Sequence, residues 1–289
     1  MKNKIEYLLF LFLGFIVKII GLKFSRRLSF ILSFVFFYFI PIRKKTTIQN
    51  LTIAFKDFSK KKIKEIAFGS YKSFVIALVE ILYLLYMSRS DIEKAVLCPN
   101  KEIIKEKYNE KKGLILLSAH FGNWEYGAAS LSSQVNIPFH VIVKSQRNPY
   151  VNDWLNKART RWINKVVPLG ISVRQIYREI KEKNIVAMVA DQRGPIEGIR
   201  VDFFGRKVSV YTGPAILALK ADAPIVYGIT VRQPDYSYII ELHEISKENL
   251  PFDYNEKIIE LSQRHTSFLE SYIRQYPEQW LWMHKRWKY

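Results

Sequence analysis

The chain of 289 residues has a single cysteine, Cys98. That excludes an internal disulfide and argues against a thiolate metal cage; Cys98 reads as a small buried apolar residue. The five histidines, at positions 120, 140, 243, 265 and 284, show no metal-ligand spacing. No Gly-x-Ser-x-Gly elbow, glycine-rich phosphate loop or dinucleotide fingerprint occurs, and there is no repeat, Gly/Ser linker or low-complexity tract. Acidic residues are also few: 26 Asp and Glu face 45 Lys and Arg, a net charge of +19. Such an excess implies an anionic partner, whether nucleic acid, an anionic membrane surface, or an acidic carrier or substrate. The basic residues are dispersed among apolar segments with no reader motif, which speaks against nucleic acid. An aromatic share of 15%, with 19 Phe and 17 Tyr, favours a membrane surface, where amphipathic rings and basic side chains sit together.

Residues 5–42 are far more apolar than the remainder. Ile5 to Ile20 is broken only by Glu6 and Lys18 among charged residues; Leu28 to Ile40 is continuous apart from Ser29 and Ser33, and Pro41 closes it. Between them lies Lys23-Phe24-Ser25-Arg26-Arg27. No small-residue cleavage site follows the first run, so a removable signal is not expected. Each run is short of the ~20 apolar residues of a membrane crossing. A hairpin dipping into one leaflet, two interfacial helices, a span, or two buried helices of a soluble domain all remain open. The flanking basic residues favour a cytoplasmic face.

From Arg43 the pattern becomes amphipathic, and residues 60–87 read as one long helix. After Gly113 strands at 114–119, 138–144, 185–190, 224–231 and 238–245 alternate with helices at 123–134, 150–162, 172–183, 212–221 and 254–275. This alternation predicts an α/β fold with a mostly parallel central sheet flanked by helices. The simplest partition is a membrane-associating helical segment, 1–42, ahead of one catalytic α/β domain, 43–289.

The most informative stretch is Ser118-Ala119-His120-Phe121-Gly122-Asn123-Trp124-Glu125. It follows a buried parallel strand, and catalytic groups in open α/β sheets gather at the strands' carboxyl ends. On one continuous helix His120 and Glu125 would point about 140° apart; a turn at Gly122 would let them meet. Glu125 could then hold one imidazole nitrogen while the other takes a proton. The bland alternative makes His120 a strand-end polar residue and Glu125 an acid favoured by the helix dipole.

Two further strand ends carry polar groups in the same layer: Lys144-Ser145-Gln146-Arg147-Asn148-Pro149 after one strand, and Asp191-Gln192-Arg193-Gly194-Pro195 after another. Arg159 and Arg161 are placed to pair with Asp191 or a phosphate, or to line a solvated helix face. Phe203-Phe204-Gly205-Arg206-Lys207, ahead of Tyr211-Thr212-Gly213-Pro214, is either an anion site beside a helix N-terminus or a hairpin turn with exposed basic residues. The closing run from Pro277 through Trp280, Trp282, His284, Arg286 and Trp287 either lies at the interface or packs back onto the domain. With no nucleophile motif, direct attack by a substrate hydroxyl activated by His120 is the economical chemistry, without a covalent enzyme intermediate.

Taken together, His120-Phe-Gly-Asn-Trp-Glu125, Arg147-Asn148-Pro149, Arg159 ahead of Val166-Val-Pro168, Asp191-Gln192, Phe203-Phe204-Gly205, Thr212-Gly213-Pro214 and the Trp-rich ending resemble the bacterial lipid A biosynthesis (late, or secondary) acyltransferases. That family lies within the wider His-x4-Asp/Glu acyltransferase superfamily. The resemblance implies transfer of a fatty acyl chain from acyl-acyl carrier protein or acyl-CoA to a hydroxyl of a lipid A precursor, a phosphorylated glucosamine lipid, at the cytoplasmic face of the inner membrane. No cofactor or metal beyond the acyl donor is implied, and no nucleic acid partner. His120 would be the base and Glu125 its partner. Asn123, Lys144, Arg147, Asn148, Arg159, Asp191, Arg193, Phe204, Gly205, Thr212 and Gly213 would contact substrate. Lys144 stands where many members have arginine, and Ile163 where many have glycine. Acylation of another glycolipid or phospholipid, and acyl-thioester or lysolipid hydrolysis on the same fold, are the alternatives.

Overall fold

The computed structural model describes residues 1–169 and 173–288. Helices α1 (Lys2–Tyr38), α2 (Lys44–Ala54), α3 (Lys60–Tyr83) and α4 (Arg89–Ala95) precede a short strand β1 (Val96–Leu97) and α5 (Glu102–Asn109). The α/β body then runs β2 (Leu114–Ser118), α6 (Trp124–Val135), β3 (Phe139–Val143), α7 (Pro149–Arg159), β4 (Lys165–Pro168), α8 (Val173–Lys181) and β5 (Ile185–Val189). A hairpin β6 (Arg200–Phe203)–β7 (Arg206–Ser209), α9 (Gly213–Ala221), β8 (Ile225–Arg232), β9 (Tyr238–Glu244) and α10 (Tyr254–Gln275) complete it. The expected strands and helices after Gly113 are all present; the first residue of the helix expected at 172–183 lies outside the described residues. Sequence reading missed β1, β4, α2, α4 and α5, which are short or weakly periodic.

Seven strands form one sheet in the order β1-β9-β8-β2-β5-β3-β4. Every neighbouring pair is parallel except β8 with β9. The central strand β2 is buried on both faces, which is why it reads as a continuous apolar run. Ile115 and Leu117 join the core beneath α9, α10 and the C-terminal tail; Leu114 and Leu116 join the one beneath α6. Helix starts follow local chemistry. The Asn123 Oδ1 accepts from the Tyr126 N–H to cap α6, and Asn148 caps α7 with Pro149 in its first turn. Asn136 and Asp222 end α6 and α9 in left-handed conformations.

The two apolar runs at the N-terminus form one helical rod broken at Gly21, whose φ of 75° and ψ of 160° interrupt α1. Ser25, Ser29 and Ser33 make a buried stripe, each hydroxyl donating to the carbonyl four residues back, so that α1 lies close along α3. The opposite side is apolar and outward: Leu8, Ile19, Phe24 and Phe39 are each 60% exposed or more. By length and composition α1 and α3 are each able to cross a membrane; α3's apolar stretch is half-buried in the protein and α1's is almost entirely outside it.

The link from β2 to α6 turns in almost no space. Gly122 has a φ of +53°, and a Cβ there would lie 2.0 Å from the Thr230 carbonyl oxygen of β8. Gly122→Ala should therefore cost at least ~2 kcal/mol in unfolding free energy, measured by chemical denaturation, because both the backbone conformation and the contact oppose a side chain.

Candidate active site

Strand register puts the site together. Ser118 at the end of β2 pairs with Val189 at the end of β5, and two residues beyond each lie His120 and Asp191. The Asp191 carboxylate takes the His120 ring at Nδ1 (2.7 Å, Oδ1) and the His120 backbone N–H (2.9 Å, Oδ2). A third donor, the Trp280 indole N–H, reaches Oδ2 at 2.9 Å. Asp191 is buried, yet its carboxyl titrates at about 2: burial alone would raise it, but the His120 charge, the His120 hydrogen bonds and the Trp280 donor together lower it. An ionised carboxylate only accepts, so His120 carries its proton on Nδ1 and leaves Nε2 for chemistry. Burial pulls the imidazole's pKa down, while the Asp191 charge and hydrogen bond and the Glu125 charge push it up; the net shift is upward from 6.5.

The expectation that Glu125 holds His120 is corrected. Glu125, in the first turn of α6, is gripped by Arg159 from the end of α7: the guanidinium Nε donates at 3.1 and 3.0 Å and Nη2 at 2.6 Å. Arg159 accordingly pairs with Glu125 and not with Asp191. The five-residue spacing does bring Glu125 into the neighbourhood of the imidazole, where its charge favours the imidazolium. Hydrogen-bonding contact with the ring fell to a residue 71 positions away because β5 lies beside β2 and Asp191 extends from it in register. Trp124 stands edge-on to the His120 ring, centroids 4.8 Å apart.

Two other substrate assignments, Asn123 and Phe204, are also corrected. Asn123 is wholly buried, with Oδ1 capping α6 and Nδ2 donating to the Glu80 carboxylate at 2.8 Å. Phe204 and Gly205 form the two-residue turn of the β6–β7 hairpin, both at positive φ. Phe204 is buried against Phe55, Trp282 and Trp287, and Lys207 pairs with Asp202; the hairpin reading of this segment holds, not the anion site.

The remaining positions do gather at this end of the sheet. Lys144 and Arg147 are exposed after β3. Asn148 donates to the Asn3 carbonyl (2.8 Å) and to Glu6 (3.2 Å) of α1; with Tyr7 stacked on Tyr150 and Phe10 edge-on to Trp154, it seats α7 on the first half of α1. Arg193 is bound through its backbone N–H to His284 Nε2 at 3.0 Å and bridges to Val210, which draws Thr212 and Gly213 alongside the Asp191 loop; a Cβ at Gly213 would meet open space.

The C-terminal run packs back onto the domain. Phe121 bridges Trp280, the Leu281 N–H donates to the His120 carbonyl and the Gly122 N–H to the Gln279 carbonyl. Trp280 is therefore a site residue that sequence reading missed as such. Glu80 is another, and there a signal exists: it is the one charged residue in the apolar run 74–86 that begins in α3, and burying a charge demands partners.

Residues 2–289 match the bacterial lipid A biosynthesis acyltransferase family. The lipid A biosynthesis lauroyltransferase of Escherichia coli (strain K12) is 24% identical over 255 residues, covering 86% of this chain and 80% of that protein. The palmitoleoyltransferase of the same organism is 22% identical with the same coverage, as is a lipid A biosynthesis acyltransferase of Shigella flexneri. A strand-end histidine backed by a carboxylate, on a parallel sheet beside an apolar helix, thus belongs to an acyltransferase. The chain is a member of the bacterial lipid A biosynthesis acyltransferase family.

Asp191→Asn should lower the imidazole pKa. With the negative charge gone, burial is the largest remaining influence, and it disfavours the imidazolium. NMR titration of the His120 ring should place wild type above 6.5 and the variant below it; an unchanged midpoint would break the pairing described here.

Proposed function

We propose that this protein moves a fatty acyl group from an acyl thioester, on acyl carrier protein or CoA, to a hydroxyl of a lipid A precursor or a closely related phosphorylated glycolipid. The observation that carries this reading is the His120–Asp191 pair, with Nε2 left over and the flank of α1 apolar and outward. In this mechanism the acceptor hydroxyl gives its proton to Nε2 as its oxygen attacks the thioester carbonyl. The imidazolium, favoured by Asp191 and Glu125, then returns that proton to the departing thiolate as the C–S bond breaks. The oxyanion in between needs donors. The first amides of α6, those of Trp124 and Glu125, lack intrahelical acceptors by their position and begin the helix beside the His120 ring. Arg159 holds Glu125 in place, and Asp191 fixes the tautomer.

The N-terminal helix seats the protein on the cytoplasmic leaflet of the inner membrane, with the apolar side chains of α1 in the acyl region. The +19 charge draws in an acidic carrier and a phosphorylated acceptor alike. Lys144 and Arg147, exposed after β3, are cations available to an incoming phosphate.

Purified protein supplied with an acyl-acyl carrier protein and a tetra-acylated, bis-phosphorylated glucosamine disaccharide lipid should yield an acceptor heavier by one acyl chain in mass spectrometry. Free fatty acid as the sole product would make it a hydrolase instead. His120→Ala should reduce transfer by roughly 10³-fold or more, and Glu125→Ala by at least ~10-fold, both with the fold intact by circular dichroism. The wild-type rate should climb with pH through a midpoint above 6.5, because His120 acts only after losing its Nε2 proton and its pKa is raised.

A further inference from the structure

Glu80 is fully buried in α3 and has no place in the proton transfers above. Its carboxylate nevertheless joins the N-terminal helix to the catalytic turn. Oε1 accepts from the Arg26 guanidinium of α1 at 2.8 Å. Oε2 accepts from the Asn123 Nδ2 at 2.8 Å and from the Tyr238 hydroxyl, while the Glu80 backbone carbonyl takes the Tyr126 hydroxyl at 3.1 Å. Arg26 supplies the one ion pair to this carboxylate among the described residues. Arg232, the other nearby guanidinium, is committed to the Tyr238 hydroxyl and to Ser73 and the Gly122 carbonyl.

We propose that Glu80 and Arg26 are positioning residues: they lock the lipid-facing helix α1 to the turn 120–125, so that the seating of α1 sets the placement of His120 and the start of α6. The proposal rests on the acyl-transfer reading for its kinetic consequences, but not for its structural one. Asn123 is oriented from both ends: Oδ1 caps α6 and Nδ2 donates to Glu80 Oε2. Without Arg26, Oε1 loses its partner, and the buried carboxylate loses the contact that fixes its orientation. Oε2 is then no longer held toward Asn123, which loses its acceptor and its orientation. The cap, the Trp124 ring against His120 and the grip of Arg159 on Glu125 all start from that residue. Arg26 also belongs to the same helical half as the outward Phe24, Leu28 and Ile31, so the lipid surface and the ion pair cannot move independently.

The test uses the full-length protein in mixed micelles. Arg26→Gln should lower kcat roughly 10- to 100-fold with KM for both substrates nearly unchanged, assayed well below the variant's own unfolding temperature. Arg26→Lys, which restores the charge, should recover most of that loss. In the same samples the His120 ring proton shift, set by the Trp124 ring current, should move toward its random-coil value in Arg26→Gln and stay in place in Arg26→Lys. That readout needs no turnover, so failure of the acyl-transfer reading, seen as no product from wild type, is separable from failure of this one. Should Arg26→Gln not fold, Arg26→Met/Glu80→Met removes both charges at similar volume; with no acceptor left for Asn123 Nδ2 and the Tyr238 hydroxyl, kcat should still fall about 10-fold. An unmoved His120 shift in a folded Arg26→Gln variant, a lysine variant no better than the glutamine one, or a double variant of wild-type kcat would each overturn the proposal.

Discussion

The buried carboxylate of Asp191 is the constraint around which this molecule is arranged. An ionised group without water must collect donors, and Asp191 collects three from two distant parts of the chain: the His120 ring and amide, and the Trp280 indole. Those contacts explain the C-terminal tail, which returns across the molecule and is stitched to Phe121, Gly122 and His120. They also explain the charge state of the histidine. A neutral partner would leave a buried imidazole with a depressed pKa, like His265, held at about 4 by burial and the Arg286 charge.

A second carboxylate, Glu125, plays a different part. Paired bidentately with Arg159 it is a fixed negative charge at the positive end of α6. Two acids near one histidine thus differ in what they touch: one fixes the tautomer by contact, the other stabilises the imidazolium through space. The His-x4-Glu spacing that marks the family on the sequence is a marker of the second. Its geometric logic is the tight turn at Gly122, with Asn123 used as the cap.

Much of the fold was legible. The strands from 114 onward betray themselves by unbroken apolar runs, because a parallel sheet covered on both faces leaves no solvent side to alternate with. The helices show helical spacing and Asn or Asp caps. The short elements did not show: β4 has two buried or partly buried residues to offer, and α4 is a single capping box with two turns. Of the site, His120, Arg159 and Asp191 were found as residues, but their pairing was not. Spacing along the chain favours near neighbours such as Glu125, whereas hydrogen bonds follow the order of strands in the sheet, and that order is set by crossovers no local pattern records.

Sequence alone determined the class of architecture, the apolar N-terminal rod, the basic surface and the identity of the strand-end histidine, since each is a property of composition or of periodicity within a few residues. Tertiary structure decided which acid meets which nitrogen, that Trp280 and Glu80 belong to the site, and that Phe204 and Asn123 serve the core. Those choices depend on burial and on register between strands 71 residues apart. A buried charge takes the donors that folding brings to it, not those that stand next to it in the chain.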